Sequence, residues 1–277
     1  MVRGALKAFL MKCIYGIVLL LLISSCNPSF MSDYLKGVKY FSEDNYEEAI
    51  KYFTKHLEKD SLDGKALAFR GQCYSSLEKY DLAINDLALA VNNGKHDVET
   101  YNDLGNALYK TGEFLDAVNC FYTARLIDKN YAQTYFNLGV ALASLEKYRN
   151  SIQAFNQYLR MKQDHLGYYA RGTTYFYMDE LDSALNDLNK AIELDKTKED
   201  YFIKRGAIYA ESDKYQEALI DFDNAIKLDN SYGEAYHAKA ITYALMKNNL
   251  KACEELFKAR KLDPEEDYKL DIDYNTN

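Results

Sequence analysis

Cysteine and histidine are the side chains of this sequence most able to act as nucleophiles or metal ligands, and their spacing fits neither role. The four histidines, His56, His96, His165 and His237, never stand at zinc-ligand spacing from another histidine or a cysteine. The sequence also contains no nucleophile elbow, phosphate-binding loop or HExxH motif. We therefore predict no metal site, no cofactor and no catalytic residue, and hence a protein that is not an enzyme.

One cysteine, Cys26, stands in a context that predicts covalent modification. Three basic residues and no acid precede an apolar run at 13–23, which is shorter than the roughly 20 residues of a spanning helix and is typical of a secretory signal. The motif ISSC at 23–26 resembles the bacterial lipobox, whose cysteine becomes the acylated N-terminus. The resemblance implies a lipoprotein signal peptide at 1–25 and a lipidated Cys26 with a short tether at 26–31. The alternative is an ordinary cleaved signal with an incidental cysteine.

The lipobox resemblance also implies a location in the bacterial cell envelope, with the lipid bilayer as one partner through acylated Cys26. Asn27 follows the cysteine, whereas aspartate at that position retains lipoproteins in the inner membrane of enteric bacteria. The acidic run that some bacteria use for surface export does not follow Cys26. We therefore expect a lipid-anchored protein of the outer membrane that faces the periplasm.

Charge and cysteine content exclude further classes. The formal net charge of −8 becomes −11 without residues 1–25. Nucleic-acid binding depends on a basic face that neutralises phosphates, so we predict no nucleic-acid partner. The same net negative charge makes the body of the protein a poor partner for anionic membrane surfaces. Three cysteines remain beyond Cys26, and an odd number in an exported chain does not form a disulfide framework.

Beyond residue 30 the sequence repeats itself. Glycine recurs every 33 or 34 residues at Gly37, Gly71, Gly105, Gly139, Gly172 and Gly206, and Ala240 continues the series. Apolar residues follow a helical period that breaks once per repeat. The pattern predicts seven repeats of two helices over 32–266, starting at residues 30, 64, 98, 132, 165, 199 and 233, with a tail at 267–277. We call the helices A and B and number positions within each repeat. We expect the glycine at position 8 to admit the small residue at position 20.

These positions resemble the tetratricopeptide repeat family, which has an aromatic residue at position 4, Gly at 8, Tyr at 11, an aromatic residue at 17, Ala at 20, Phe at 24 and Ala at 27. The third repeat, YNDLGNALYKTGEFLDAVNCFYTARLID, matches most of them. Asp33, Leu67 and Asn249 depart from the aromatic positions, and the proline of position 32 survives only as Pro264. The resemblance implies an all-α fold, a right-handed superhelical solenoid. It also implies a non-enzymatic scaffold or adaptor that binds other envelope proteins or their peptide segments.

In this family, positions 2, 5, 6, 9 and 12 of helix A line the concave groove. Asparagine amides can donate to and accept from a peptide backbone, and aromatic side chains supply contact area at low entropic cost. The resemblance therefore implies a partner-binding groove formed by Asn102, Asn106, Tyr109, Asn137, Tyr169, Thr173 and Phe176. Leu166 and Ala170 stand where a carboxylate clamp needs basic residues, which argues against that subtype. The alternative is that these side chains form a solvated inner surface and bind no partner.

Two further expectations concern surfaces and thiols. Helix B of the seventh repeat is a second candidate contact surface, because only a short tail follows Pro264. A module that binds cell-wall glycan or peptidoglycan through exposed aromatic residues is the alternative function. Among the thiols, Cys73 and Cys253 are expected to be small apolar fillers, and Cys120 alone is expected to be accessible.

Overall fold

A computed structural model describes residues 32–269, and within that range the chain forms fourteen α-helices and no strand. The all-α class and the consecutive helix pairs expected from the repeat are confirmed. The described residues divide into two compact halves, which meet between Thr134 and Tyr135. The predicted signal peptide, Cys26 and the tether to residue 31 lie outside the described residues, as do residues 270–277.

Each repeat supplies one helix A and one helix B. The N-terminal half contains α1 (Asp33–Ser42), α2 (Tyr46–Leu57), α3 (Gly64–Ser76), α4 (Tyr80–Asn92), α5 (Val98–Lys110) and α6 (Phe114–Ile127). The boundary between the halves falls within α7 (Ala132–Ser144). The C-terminal half continues with α8 (Tyr148–Met161), α9 (His165–Phe176), α10 (Leu181–Leu194), α11 (Glu199–Glu211), α12 (Tyr215–Leu228), α13 (Gly233–Leu245) and α14 (Asn249–Leu262). Helices of this length are marginal alone, so their packing stabilises them.

Local signals set the ends of these helices. Asp97 and Asp164 cap helix A of their repeats, because a carboxylate oxygen accepts the backbone N–H three residues on, at 2.9 Å and 3.0 Å. Helix A then ends in a left-handed residue at position 15 of every repeat. Gly112 fills that position in the third repeat with φ 86°, whereas Glu78 holds it in the second with φ 58°. A side chain at such a φ is strained, so the turn is formed at some cost in six of the seven repeats.

The glycine at position 8 makes room for the side chain at position 24, not mainly for the residue at position 20. A Cβ added to Gly105 would lie 2.6 Å from the ring of Phe121, and one added to Gly139 would lie 2.6 Å from Phe155. The small residue at position 20 also lies close to the glycine, as expected. The Ser151 hydroxyl at position 20 donates to the Gly139 carbonyl oxygen at 2.7 Å.

A buried ion pair joins the two helices in three repeats and was not expected from the sequence. Arg171 at position 7 donates through Nε and Nη2 to both carboxylate oxygens of Asp187 at position 23, each at 2.7 Å. Asp187 is 1% exposed. The same pair occurs as Arg70–Asp86 and Arg205–Asp221. The third and fourth repeats place Leu104 with Cys120 and Leu138 with Ala154 at these positions.

Candidate functional site

A largely apolar cavity of about 590 Å³ lies in the C-terminal half, where α7, α8 and α9 meet. Its lining is aliphatic and aromatic, with few polar groups: Phe136, Val140, Ala143, Ser144, Glu146, Tyr148, Phe155, Leu166, Tyr169, Ala170, Thr173, Thr174 and Tyr177. Most of these residues occupy positions 2, 5, 6, 9 and 12 of helix A in the fourth and fifth repeats. A concave apolar cavity with a few polar groups is the usual form of a ligand site in proteins.

Tyr169 brings a polar group to the cavity from position 5 of α9. Its ring stacks on Tyr201 with the centroids 4.6 Å apart, which fixes its orientation. Burial, together with the negative charge of Asp200, raises the pKa of the Tyr169 phenol to about 12. The hydroxyl is therefore neutral at physiological pH and can both donate and accept a hydrogen bond.

Thr173 supplies a second polar group, one turn along the same helix. Its hydroxyl oxygen is buried and makes no hydrogen bond of good geometry, although it lies close enough to the Tyr169 hydroxyl to act on the pKa of that phenol. Thr174 also lines the cavity, but its hydroxyl donates to the Ala170 carbonyl oxygen at 2.8 Å. A ligand group that bonded the Tyr169 and Thr173 hydroxyls would therefore make hydrogen bonds of better geometry than the two side chains make with each other.

The predicted groove residues do not all belong to this cavity. Tyr169 and Thr173 line it. Asn137 is half-buried beside the cavity-lining Phe136 without being one of the lining residues. Phe176 packs against the core cluster that contains Leu188 and is not one of the lining residues.

In the N-terminal half, Asn102 does not fit the predicted role. It is 3% exposed, and its amide nitrogen donates to the Val98 carbonyl oxygen and to the Thr134 hydroxyl at 2.8 Å and 2.7 Å. The prediction that Asn102 contacts a partner is therefore corrected, because its side chain is buried between helices. Asn106 is exposed, and Tyr109 is half-buried against Phe114 with the ring centroids 5.3 Å apart.

The apolar wall of the cavity was present in the sequence but was not selected as a site. Phe136, Val140 and Ala143 stand at positions 5, 9 and 12 of the fourth repeat, which are groove positions in the family. Leu166 and Ala170, which argued against a carboxylate clamp, form the facing part of the lining. The useful signal was the set of apolar residues at groove positions in two adjacent repeats.

The thiols differ from expectation in one respect. Burial raises the pKa of Cys73 to about 12, and burial with the charge of Asp116 raises the pKa of Cys120 to about 11. Both are thus poor nucleophiles at neutral pH. Cys253, expected to be an apolar filler, is exposed, so Cys120 is not alone in being accessible.

One group of side chains has the composition of a metal site. Ligand atoms of His56, Asp60 and Asp63 lie within 4.8 Å of one another. Asp63 already accepts hydrogen bonds from His56 Nε2 and from the backbone of Lys65 and Ala66, where it caps α3. We therefore assign this group a capping role. Between residues 32 and 269, no helix combines the length and hydrophobicity needed to cross a membrane.

Comparison with known proteins agrees with this architecture. The tetratricopeptide repeat family matches residues 34–95, 96–164 and 167–198. A TPR repeat-containing protein of Methanocaldococcus jannaschii is 24% identical over an alignment of 176 positions that covers 57% of this chain and 30% of that longer protein. The structure of a tetratricopeptide repeat protein from Parabacteroides merdae aligns with a TM-score of 0.69 at 14% identity, over 83% of this chain and 92% of that one.

A second solved structure is similar to a shorter part of this chain. YrrB, described as a TPR protein with an unusual peptide-binding site, aligns with a TM-score of 0.52 at 26% identity, over 65% of this chain and 93% of its own. Repeats of this family form scaffolds for protein–protein interaction. From its paired helices, repeat positions and family matches, the chain belongs to the tetratricopeptide repeat family.

Proposed function

We propose that this protein is a non-enzymatic, membrane-anchored scaffold that binds extended peptide segments of other envelope proteins in the cavity of α7, α8 and α9. The observation that carries the proposal is the combination within one cavity of an apolar wall and the two neighbouring hydroxyls of Tyr169 and Thr173. YrrB, the relative described with a peptide-binding site, supports a peptide as the class of ligand.

The geometry specifies how such a segment is held. An apolar side chain of the segment enters between Phe136 and Val140 on one side and Leu166 on the other. The backbone of the segment is then close to the Tyr169 and Thr173 hydroxyls, which can bond its carbonyl and N–H groups. Burial of apolar surface against the wall supplies most of the binding free energy, and hydrogen bonds to the two hydroxyls fix the register of the segment in the cavity.

The anchor is a separate part of the proposal and rests on the sequence. Acylation of Cys26 places the protein in the cell envelope, at the outer membrane and facing the periplasm, with at most five residues between the lipid and residue 32. Such a tether spans roughly 17 Å when extended, so the first repeat lies close to the bilayer. Replacement of Cys26 by alanine is expected to abolish acyl labelling and to release the protein from membranes. Persistence of both would refute the anchor.

Cross-linking capture in intact cells tests the binding site. Leu166 is 44% exposed at the cavity wall, so Leu166→Glu places a charge there with little effect on folding. Leu126, 72% exposed on α6, provides the matched control Leu126→Glu. We expect wild type and control to capture the same protein, and Leu166→Glu to lose it.

Capture that is equal in all three proteins would contradict the cavity as the binding site. Retention of the purified chain on isolated cell-wall polymer, in the absence of any protein, would instead support the glycan-binding alternative. Soluble yield and the far-ultraviolet circular dichroism spectrum of each variant establish that a loss of capture is not a loss of folding.

A further inference from the structure

One charged side chain belongs to the wall of the cavity formed by α7, α8 and α9. Among the described residues that line this cavity, Glu146 is the one that carries a formal charge. It follows the end of α7 at position 15 of the fourth repeat, with φ 57°, and it is exposed. Between residues 32 and 269 its carboxylate makes no ion pair and no side-chain hydrogen bond. The carboxylate is therefore free to pair with a group of the ligand.

The left-handed turn itself does not require an acid at this position. Gly112 holds position 15 in the third repeat with φ 86°, and Lys247 holds it in the seventh with φ 58°. Glu78 holds it in the second repeat with φ 58°, but Glu78 does not line the cavity. Glu146 thus differs from Glu78 in its surroundings and not in its backbone, and the turn leaves its charge available for binding.

Aromatic rings lie next to this carboxylate. Tyr148, two residues further along the chain, stacks on Tyr177 with the ring centroids 5.8 Å apart and the planes at 16°. Both rings line the cavity, and Tyr177 is 56% exposed. The face of an aromatic ring carries negative partial charge and attracts a cation that lies within about 6 Å of its centre. A carboxylate and phenol rings at one part of the wall therefore form a site for a cation.

A lysine of the protein already lies near one of these two rings. Lys204 on α11 places its ammonium group 5.9 Å from the centroid of Tyr177 and 5.7 Å from that of Phe176. Because like charges repel, a cation of the ligand is disfavoured beside Lys204. Within the described residues no lysine or arginine lies over the ring of Tyr148. The cation of a ligand is therefore expected at Tyr148 and Glu146.

The lining favours an organic cation over a metal ion. Calcium takes six to eight oxygen ligands and magnesium needs six, so a single carboxylate is too few. Val140 and Ala143 offer aliphatic surface for the methylene groups of lysine or arginine, whose charged ends can then reach the carboxylate. The formal net charge of −8 also attracts a basic partner at long range.

We propose that the segment bound in this cavity carries a lysine or arginine beside its apolar side chain, with the cation held between the Glu146 carboxylate and the Tyr148 ring. This inference rests on the proposed function, because it takes a peptide as the ligand. It adds the chemical class of the partner, which is a segment that is both apolar and basic.

Reversal of the charge at position 15 tests this proposal. Glu146→Lys gives the fourth repeat the residue type that the seventh repeat has in Lys247, so the turn is retained. Glu78→Lys makes the same change at nearly the same φ outside the cavity and is the matched control. Peptides are selected from a random display library on wild type and on both purified variants, and the residues beside the apolar side chain are compared.

We expect wild type and Glu78→Lys to enrich lysine and arginine at these positions, and Glu146→Lys to enrich acidic residues instead. A peptide selected on wild type, synthesised with both termini capped, should bind Glu146→Lys roughly tenfold more weakly in titration calorimetry. Its analogue with glutamine in place of the basic residue should bind wild type roughly fivefold more weakly. Both differences should shrink in about 1 M salt, because the charges are exposed.

Three results would overturn the proposal. Selected peptides that show no preference for a basic residue, and that bind Glu146→Lys as well as wild type, would overturn it and leave the peptide site intact. A shift of preference that is equally large in Glu78→Lys would show that net charge and not the cavity is responsible. Failure of all three proteins to select any peptide would refute the proposed function and this inference with it.

Discussion

Replacing Arg171 with leucine is expected to cost far more stability than replacing Arg171 and Asp187 together. Asp187 is 1% exposed, and the guanidinium of Arg171 satisfies both of its carboxylate oxygens at 2.7 Å. Arg171→Leu therefore leaves a buried carboxylate without its cation. That cost is about 3–5 kcal/mol in the free energy of unfolding.

Removing the acid alone has a smaller effect. The Arg171 side chain is 19% exposed, and Asn156 still accepts from its Nη1 at 2.5 Å, so after Asp187→Ala the guanidinium keeps a partner and can turn towards water. We expect a loss of about 1–2 kcal/mol. The double variant creates the combination that Leu138 and Ala154 already form in the fourth repeat. Its cost should stay within about 1 kcal/mol of wild type, because an apolar pair can replace a buried ion pair.

Urea denaturation followed by circular dichroism gives the three free energies, and hydrogen exchange of the α9 and α10 amides assigns the loss to this repeat. The untouched pair Arg205–Asp221 serves as an internal reference. The expected coupling free energy between the two substitutions is about 3 kcal/mol or more. A cost of less than about 1 kcal/mol for Arg171→Leu, or a double variant as unstable as that single one, would refute this assignment of a buried ion pair.

Three other predictions concern single positions. Gly105→Ala should destabilise the chain by about 1–2 kcal/mol, since the new Cβ would lie 2.6 Å from Phe121, whereas Gly172→Ala, with its closest contact at 3.1 Å, should be nearly neutral in thermal unfolding. Glu78→Gly should raise the urea midpoint by relieving the left-handed φ of 58°, a gain of about 1 kcal/mol. Burial raises the pKa of Asp103 to about 6, so its contribution to stability is present below about pH 4 and is lost as the pH rises through 6. Asp103→Asn should remove that pH dependence, and a stability profile from pH 4 to 7 unchanged by the substitution would contradict this assignment.

The sequence was sufficient for the parts of the fold that depend on periodicity. Glycine at fixed steps and apolar residues at helical spacing are local features, so they identified the all-α class and the helix pairs. The side chain closest to the glycine was missed because spacing gives no direction: the Cβ position of Gly105 points at Phe121, four residues beyond the small residue of helix B. The Arg171–Asp187 pair was missed because its members lie sixteen residues apart.

The candidate site was only partly predictable for a related reason. The groove positions of the family predicted Tyr169 and Thr173 as neighbours, and both line the cavity, because one turn of helix separates them. They also selected Asn102, whose burial depends on a hydrogen bond to Thr134 that no local pattern encodes. The cavity itself arises from empty space between side chains of three helices, and its apolar wall becomes apparent only when those helices are packed together.

The proposed function depends on the binding of extended peptides in the cavity of α7, α8 and α9. The most direct test selects peptides from a random display library on the purified chain and measures their affinity by titration calorimetry for wild type, Thr173→Val, Leu166→Glu and Leu126→Glu. We expect the selected peptides to share an apolar side chain. Thr173→Val and Leu166→Glu should each weaken binding roughly tenfold or more, and Leu126→Glu should bind as wild type does. Selected peptides that bind all four proteins equally would contradict the proposed function.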